Sequence, residues 1–233
     1  MRPAEIVVSS IAFLFADPVR AIMLTALLEG RALTAGELAA SARVTAQTAS
    51  SHLGKLLEGG LISVEAAGRH RYYRLAGPQV ARVMEHLATI RAQSAPRRAL
   101  SPEDQRLRFC RRCYDHLAGE VGVALTQGLE RRGYLQPQAE KQFLVTPGGV
   151  DWFRGLGVDV QTIKPSRRGL ASQCMDWTER QYHVSGPLGA ALMCALCARG
   201  WLRPSYHSRA MELLPKGEQG LHTQLGVDLR SAQ

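Results

Sequence analysis

Two groups of residues in this chain have types and spacings that can do chemistry. The first lies between residues 110 and 183. Cys110-x-x-Cys113-x-x-His116 sets two thiols and an imidazole three residues apart, and Cys174, Asp176, Trp177, Glu179, Arg180 and His183 form a second cluster. Read as helix, the spacing puts Cys113 and His116 on one face, with Cys110 one turn earlier. Sulfur and imidazole donors suit zinc, copper(I) or a thiophilic metalloid. The same thiols can sense oxidants or electrophiles if Arg111, Arg112 or Arg180 lowers a thiol pKa. An organic-effector pocket, or a set of purely structural side chains, also fits these residue types. A thiophilic metal ion is the one cofactor these donors point to, and they leave its identity open.

The second group is Gln47, Thr48, Ser50, Ser51, His52 and Lys55, followed by Arg69, His70, Arg71 and Tyr72. Amide, hydroxyl, imidazole and cationic groups in this density suit the base edges and phosphates of a duplex. The elements that must carry them are legible. Thr45 is placed as an N-cap, Ala49, Leu53, Leu56 and Leu57 form an apolar face, and Gly59-Gly60 ends the helix. A hairpin turning at Gly68 follows, with Arg74 adding to its charge. Upstream, Asp17-Pro18 opens a helix that closes at Gly30. Thr34-x-x-Glu37 reads as a capping box for a helix over 35–42, with Leu33 and Leu38 as its staple. That helix and the one over 46–58 form a helix-turn-helix, and the hairpin is its wing. Flanking helices at about 5–15 and 78–93 carry apolar stripes. Ile11, Leu14, Val83 and Leu87 are placed there to meet a second copy across a two-fold axis.

Residues 1 to about 95 resemble the ArsR/SmtB family of bacterial repressors. The resemblance is carried by Asp17-Pro18-Val19-Arg20, Leu38-Ala39, Ser51-His52-Leu53, Gly60-Leu61-Ile62 and the wing Gly68-Arg69-His70-Arg71-Tyr72-Tyr73-Arg74-Leu75. It implies a homodimer that occupies an operator and leaves it when an inducer binds. The family's usual metal positions do not carry over. Leu38-Ala39-Ala40-Ser41 stands where some members have a cysteine pair, and the last helix of the domain offers only His86.

Residues 96–104 read as a polar linker to a C-terminal domain over 105–233, which contains an internal repeat. His116-Leu-Ala-Gly119-Glu-Val-Gly122 aligns with His183-Val-Ser-Gly186-Pro-Leu-Gly189, and both copies end on Leu-Gly-Val-Asp. The units run over about 105–160 and 174–229, and their helix, strand, turn, helix order parallels a winged helix. The predicted fold is therefore mainly α with short β wings: an N-terminal winged helix-turn-helix and a C-terminal α+β domain of two repeated modules. Cys194 and Cys197 lie in an apolar helix and read as buried hydrophobes.

The chain has 233 residues and a formal net charge of +9, which favours a polyanionic partner. Its early apolar run, 6–15, is too short to span a bilayer and lacks the marks of a signal peptide. Five cysteines argue against a disulfide scaffold and for reduced thiols in the cytoplasm. No phosphate loop, His-Glu-x-x-His or Gly-x-Ser-x-Gly motif is present, so no enzyme is expected. The expected function is an effector-released repressor, bound as a homodimer to a palindromic operator. Its partners are double-stranded DNA, a second copy and a small-molecule or metal effector, with no membrane. The competing classes are an architectural DNA-binding protein without effector and a thiol-dependent enzyme fused to a DNA-binding domain.

Overall fold

The computed structural model describes residues 3–28, 30–91, 101–205 and 208–229. The chain folds as two compact units, Met1–Met84 and Glu85–Gln233. Among the described residues, no single helix is long and apolar enough to cross a membrane.

The first unit runs α1 (Pro3–Ala16), α2 (Pro18–Leu27), β1 (Leu33–Thr34), α3 (Ala35–Ala42), α4 (Ala46–Glu58), β2 (Ile62–Ala67), β3 (His70–Leu75) and the start of α5 (Pro78–Arg91). Its helix starts are the ones the cap residues dictate. The Asp17 carboxylate accepts from Arg20 N at 2.9 Å, and Thr34 and Glu37 form a reciprocal capping box. Arg20 is 2% exposed although charged. Its guanidinium donates to the carbonyls of Phe13 and Leu14, at 2.7 and 2.9 Å, and so satisfies the otherwise orphaned end of α1. Met23, Leu24, Leu38, Leu53 and Leu56 are buried between the helices, and the three strands pair antiparallel in the order β1-β3-β2. The winged helix-turn-helix is borne out.

The second unit continues with α6 (Pro102–Phe109), β4 (Arg111–Cys113), β5 (His116–Ala118), α7 (Gly119–Arg131), β6 (Leu135–Gln138), β7 (Gln142–Val145) and α8 (Pro147–Gly155). The same order then recurs as β8 (Ser172–Met175), β9 (Tyr182–Ser185), α9 (Gly186–Ala198), β10 (Leu202–Pro204), β11 (Met211–Leu213) and α10 (Pro215–Leu225). Each module is therefore hairpin, helix, hairpin, helix. Residues 92–100, with most of the expected linker, lie outside the described residues. The end of that linker is corrected: Ser101 caps α6 through a second capping box, so Pro102–Asp104 are already helical.

The two modules exchange strands. The second hairpin of module one joins the first hairpin of module two in a four-stranded sheet, β6-β7-β8-β9, through Gln142 opposite Ser172. Reciprocally, the β10-β11 hairpin meets β4-β5 through a bridge between Ala210 and Arg111, with Arg112 N donating to Arg209 O at 2.8 Å. The repeat also extends to the packing. Val121, Leu125 and Leu129 on α7, and Leu188, Leu192 and Leu196 on α9, are each at most 1% exposed. Full burial of a leucine contributes about 1.5–3 kcal/mol, so these two matching stripes anchor the core. Gly119 and Gly186 start the helices at φ 79° and 78°. One turn on, a side chain at Gly122 or Gly189 would collide with the carbonyl of Leu117 or Val184, which lets each helix lie directly on its hairpin.

Candidate functional site

On α4 the apolar face of Ala49, Leu53 and Leu56 is buried, which turns Gln47, Thr48, Ser50, Ser51 and Lys55 to the exposed side. Thr45 accepts from Thr48 N at 3.2 Å and fixes the first turn. His52 is a correction to this outward set. It is half-buried, with Nδ1 3.4 Å from the Asp17 carboxylate, because it lies at the edge of the packed face. Across the hairpin, Gly68 turns at φ 60° and leaves Arg69, His70 and Arg71 exposed. Tyr72 is half-buried, since its strand position pairs it with both Glu65 and Thr34.

In the second unit the structure brings four predicted residues together. One donor atom from each of Cys113, His116, Cys174 and His183 lies within 4.8 Å of all the others, and all four residues are buried. Their placement differs from the helical expectation. Cys113 ends β4 and His116 begins β5, directly opposite each other across a two-residue turn. Tyr114 occupies that turn at φ 60°, a left-handed conformation that helix does not allow and that costs a non-glycine residue about 1–2 kcal/mol. The other hairpin repeats the pattern, with Cys174 opposite His183. Its loop is longer, because residues 176–181 close through Asp176 N donating to Gln181 O at 2.9 Å. Each module thus contributes one cross-strand Cys/His pair. The imidazoles face one another with Nε2 atoms 3.1 Å apart and ring centres 5.0 Å apart.

Carboxylates orient both rings. His116 Nδ1 is 2.8 Å from Asp115 Oδ1, and His183 Nδ1 is 3.4 Å from Asp176 Oδ2. Asp176 is fully buried and is the hub of the network. It accepts two bonds from Arg111 at 3.0 Å, one from Gly119 N at 2.7 Å, and others from Thr178. Burial alone would raise its carboxyl, but His183, Arg111 and Thr178 hold it well below the usual carboxylate range. Arg111 is itself fully buried and lies over the Trp177 ring at 5.0 Å. Glu85, also buried in this unit, lies 3.9 Å from Arg111 and 2.6 Å from Arg209. Burial likewise disfavours charge on His116, yet Cys113 and Asp115 outweigh it and lift the imidazole to about 9. A hydrogen bond with Cys174 and burial push the Cys113 thiol up to about 12.

The remaining sequence candidates fall outside the cluster. Cys110 points into the hydrophobic core, where burial raises its thiol far above the usual range. Trp177 packs on Arg111, Glu179 accepts from Arg108 Nε at 3.1 Å, and Arg180 is exposed at φ 55° in the long loop. Cys194 is exposed and Cys197 half-buried, against the expectation that both are buried: Cys197 packs at the margin of the core, and Cys194 lies outside it. Sequence reasoning missed the pairing of Asp115 with His116, and the pairing with Asp176 of Arg111, which was expected only to tune a thiol. The signal that could have found Asp115 is its place beside a histidine in a tight turn. Arg111 left none, because its partner lies 65 residues away.

A family model described as a helix-turn-helix domain matches residues 15–65, from the end of α1 into β2. An uncharacterized HTH-type transcriptional regulator of Bacillus subtilis (strain 168), YdfF, is 42% identical over 224 residues, 95% of this chain and 98% of that protein. The chain belongs to this family of HTH-type transcriptional regulators. The match runs through both units, so the duplicated C-terminal unit belongs to the regulator as much as the DNA-binding unit does. Two solved structures are similar to the N-terminal part of the chain. The homodimeric winged helix-turn-helix DNA-binding domain of Mb0332 from Mycobacterium bovis is 30% identical, covers 37% of this chain and 79% of its own, and has a TM-score of 0.34. The cadmium metal-sensor CMTR from Mycobacterium tuberculosis is 29% identical, covers 40% of this chain and 98% of its own, and has a TM-score of 0.32.

Proposed function

We propose that this DNA-binding regulator is a homodimeric repressor that occupies a palindromic operator and leaves it when an effector engages the Cys113/His116/Cys174/His183 cluster. The observation that carries the effector half is the convergence of two thiols and two imidazoles, one pair from each module, inside 4.8 Å. Gln47, Thr48 and Ser51 are assigned to base edges, and Lys55, Arg69 and Arg71 to phosphates. Release requires only that the effector bind the DNA-incompetent form better, and about 1–3 kcal/mol of coupling suffices. The burial of all four cluster side chains counts against the thiol-dependent enzyme, whose substrate would have to reach the sulfur.

Dimerisation is supported by large apolar side chains left at the surface on α1 and α5: Val8, Phe13, Val83, Leu87 and Ile90 are 43–68% exposed. Leu14 packs instead within its own unit, against Gly59, so it is replaced by Val8 as the α1 contact to test. In a Val8→Glu/Leu87→Glu chain the dimer should dissociate and operator affinity should collapse with it. A monomer that still binds a palindrome tightly would refute the assembly.

The effector half is tested by fluorescence anisotropy of the full chain on its operator, titrated with zinc(II) and, separately, with a thiol oxidant. Release by either agent, lost in Cys174→Ser, is the expected result. Unchanged affinity with both would refute control through this cluster.

A further inference from the structure

We infer that Cys113, His116, Cys174 and His183 form a closed tetrahedral S2N2 site for a d10 cation of the zinc(II) type, which staples the two repeated modules to each other. The inference deepens the effector reading above and names the ligand chemistry of that site.

The geometry of the two rings carries the argument. A carboxylate can only accept a hydrogen bond, so Asp115 at 2.8 Å places the His116 proton on Nδ1. His183 Nδ1 is buried, has no well-aligned hydrogen bond, and lies 3.4 Å from the Asp176 carboxylate. In the ligand form, with Nδ1–H toward its carboxylate, each ring presents a lone pair at Nε2, and the two Nε2 atoms face each other at 3.1 Å; a metal ion would displace the proton that His116 otherwise holds there. Two acceptors that close need a positive centre between them. A shared proton would serve the imidazoles alone, but two thiols are aimed at the same volume. Carboxylate on Nδ1 and an open Nε2 is the usual arrangement of a metal-bound histidine, and here it occurs twice.

The donor set then selects the ion. Zinc–sulfur and zinc–nitrogen bonds of about 2.3 and 2.0 Å imply ligand–ligand edges of about 3.3–3.8 Å in a tetrahedron. The observed separations, from 3.1 Å between the imidazoles to no more than 4.8 Å overall, bracket that range. Two sulfurs and two imidazoles suit a borderline-soft ion and disfavour magnesium or calcium, which take oxygen. All four ligands come from protein and all are buried, so no position is open to substrate, and the site is one that holds structure together rather than one that turns over. The donors are also divided equally, one Cys and one His from the β4-β5 hairpin and one of each from β8-β9, so occupancy ties the repeats to each other.

Cobalt(II) titration of the full-length reduced chain is the direct test. The expected result is about one cobalt per chain, with intense thiolate-to-cobalt absorption and a tetrahedral d–d envelope, displaced by zinc(II). Zinc(II) should raise the unfolding temperature by about 5 °C or more at saturating concentration. Cys174→Ser and His183→Gln should abolish stoichiometric uptake. Because those ligands are buried and their variants can unfold, Asp115→Asn gives a second arm. Its side chain is 45% exposed, so the fold should survive while cobalt affinity falls about 10- to 100-fold. No tetrahedral cobalt spectrum in the wild type, or undiminished affinity in Asp115→Asn together with Cys174→Ser, overturns the metal site. So does a Cys113–Cys174 disulfide that persists in reductant in place of uptake. Metal failure with oxidant-driven operator release would leave the effector reading standing, whereas metal uptake with unchanged operator affinity would sink that reading and keep the staple.

Discussion

The exposed face of α4 and the Cys/His cluster are both built from polar side chains, and they are organised in opposite ways. Gln47, Thr48, Ser50, Ser51 and Lys55 point outward from a helix held by Ala49, Leu53 and Leu56, and none of them depends on another for its place. Cys113, His116, Cys174 and His183 point inward, are buried, and are placed by one another and by Asp115, Asp176 and Arg111. An exposed polar group stays hydrated until a partner arrives, so it costs the fold almost nothing. A buried one must be satisfied from within, and the free energy of that satisfaction becomes part of the fold. Substitutions in the first unit's face should therefore separate binding from stability, and substitutions around the cluster should not.

The largest effect should follow Asp176→Ala. It removes the carboxylate that pairs with fully buried Arg111 and orients His183, leaving Arg111 with only the more distant Glu85, at 3.9 Å, as a buried counter-charge. A loss of about 3–5 kcal/mol in urea unfolding is expected. A loss below 1 kcal/mol would break the comparison, because the cluster would then be no more integral to the fold than the α4 face.

Arg71→Ala comes next, and should leave stability within about 0.5 kcal/mol of the parent. Its expected effect is on DNA: weaker binding to all sequences, with the log–log salt slope shallower by about 0.9. A changed sequence preference at unchanged salt slope would move Arg71 from phosphate contact to base reading.

The smallest effect concerns pH. The Glu37 carboxylate accepts from Thr34 N at 2.7 Å and from the Thr34 hydroxyl at 2.8 Å, and these bonds hold it below the ordinary glutamate range. A carboxyl with a lowered folded-state pKa stabilises above its unfolded value and loses that contribution as pH falls through the lowered one. Glu37→Gln should therefore cost stability near neutrality, and the gap to the parent should close as the solution is acidified below pH of about 4. A gap independent of pH would show that the cap works through shape rather than charge.

These outcomes follow the line between what was legible in the sequence and what was not. Asp17-Pro18, the Thr34/Glu37 box, Thr45 and the Gly68 turn are satisfied by backbone groups within three or four residues. Their meaning is local, and the helix-turn-helix with its wing followed from them. The repeat was legible too, since His116/His183, Gly119/Gly186 and Gly122/Gly189 all keep one offset, and the structure gives each pair the same role. The cluster was only half legible. Cys113 and His116 at a three-residue spacing fit one face of a helix and equally the two ends of a two-residue hairpin turn. What decides between them is nonlocal: Arg112 on β4 donates to the backbone of Arg209, and Cys110 just before it accepts from Met211, about a hundred residues further on. Cys174 hid its equivalence to Cys113 because a longer loop separates it from His183, so that the histidines keep the repeat offset while the cysteines do not. Residue types and caps belong to the chain and can be read from it. Cross-strand register, the exchange of hairpins between modules and the burial of Arg111 beside Asp176 belong to packing, because each depends on surfaces that meet only after both modules have folded.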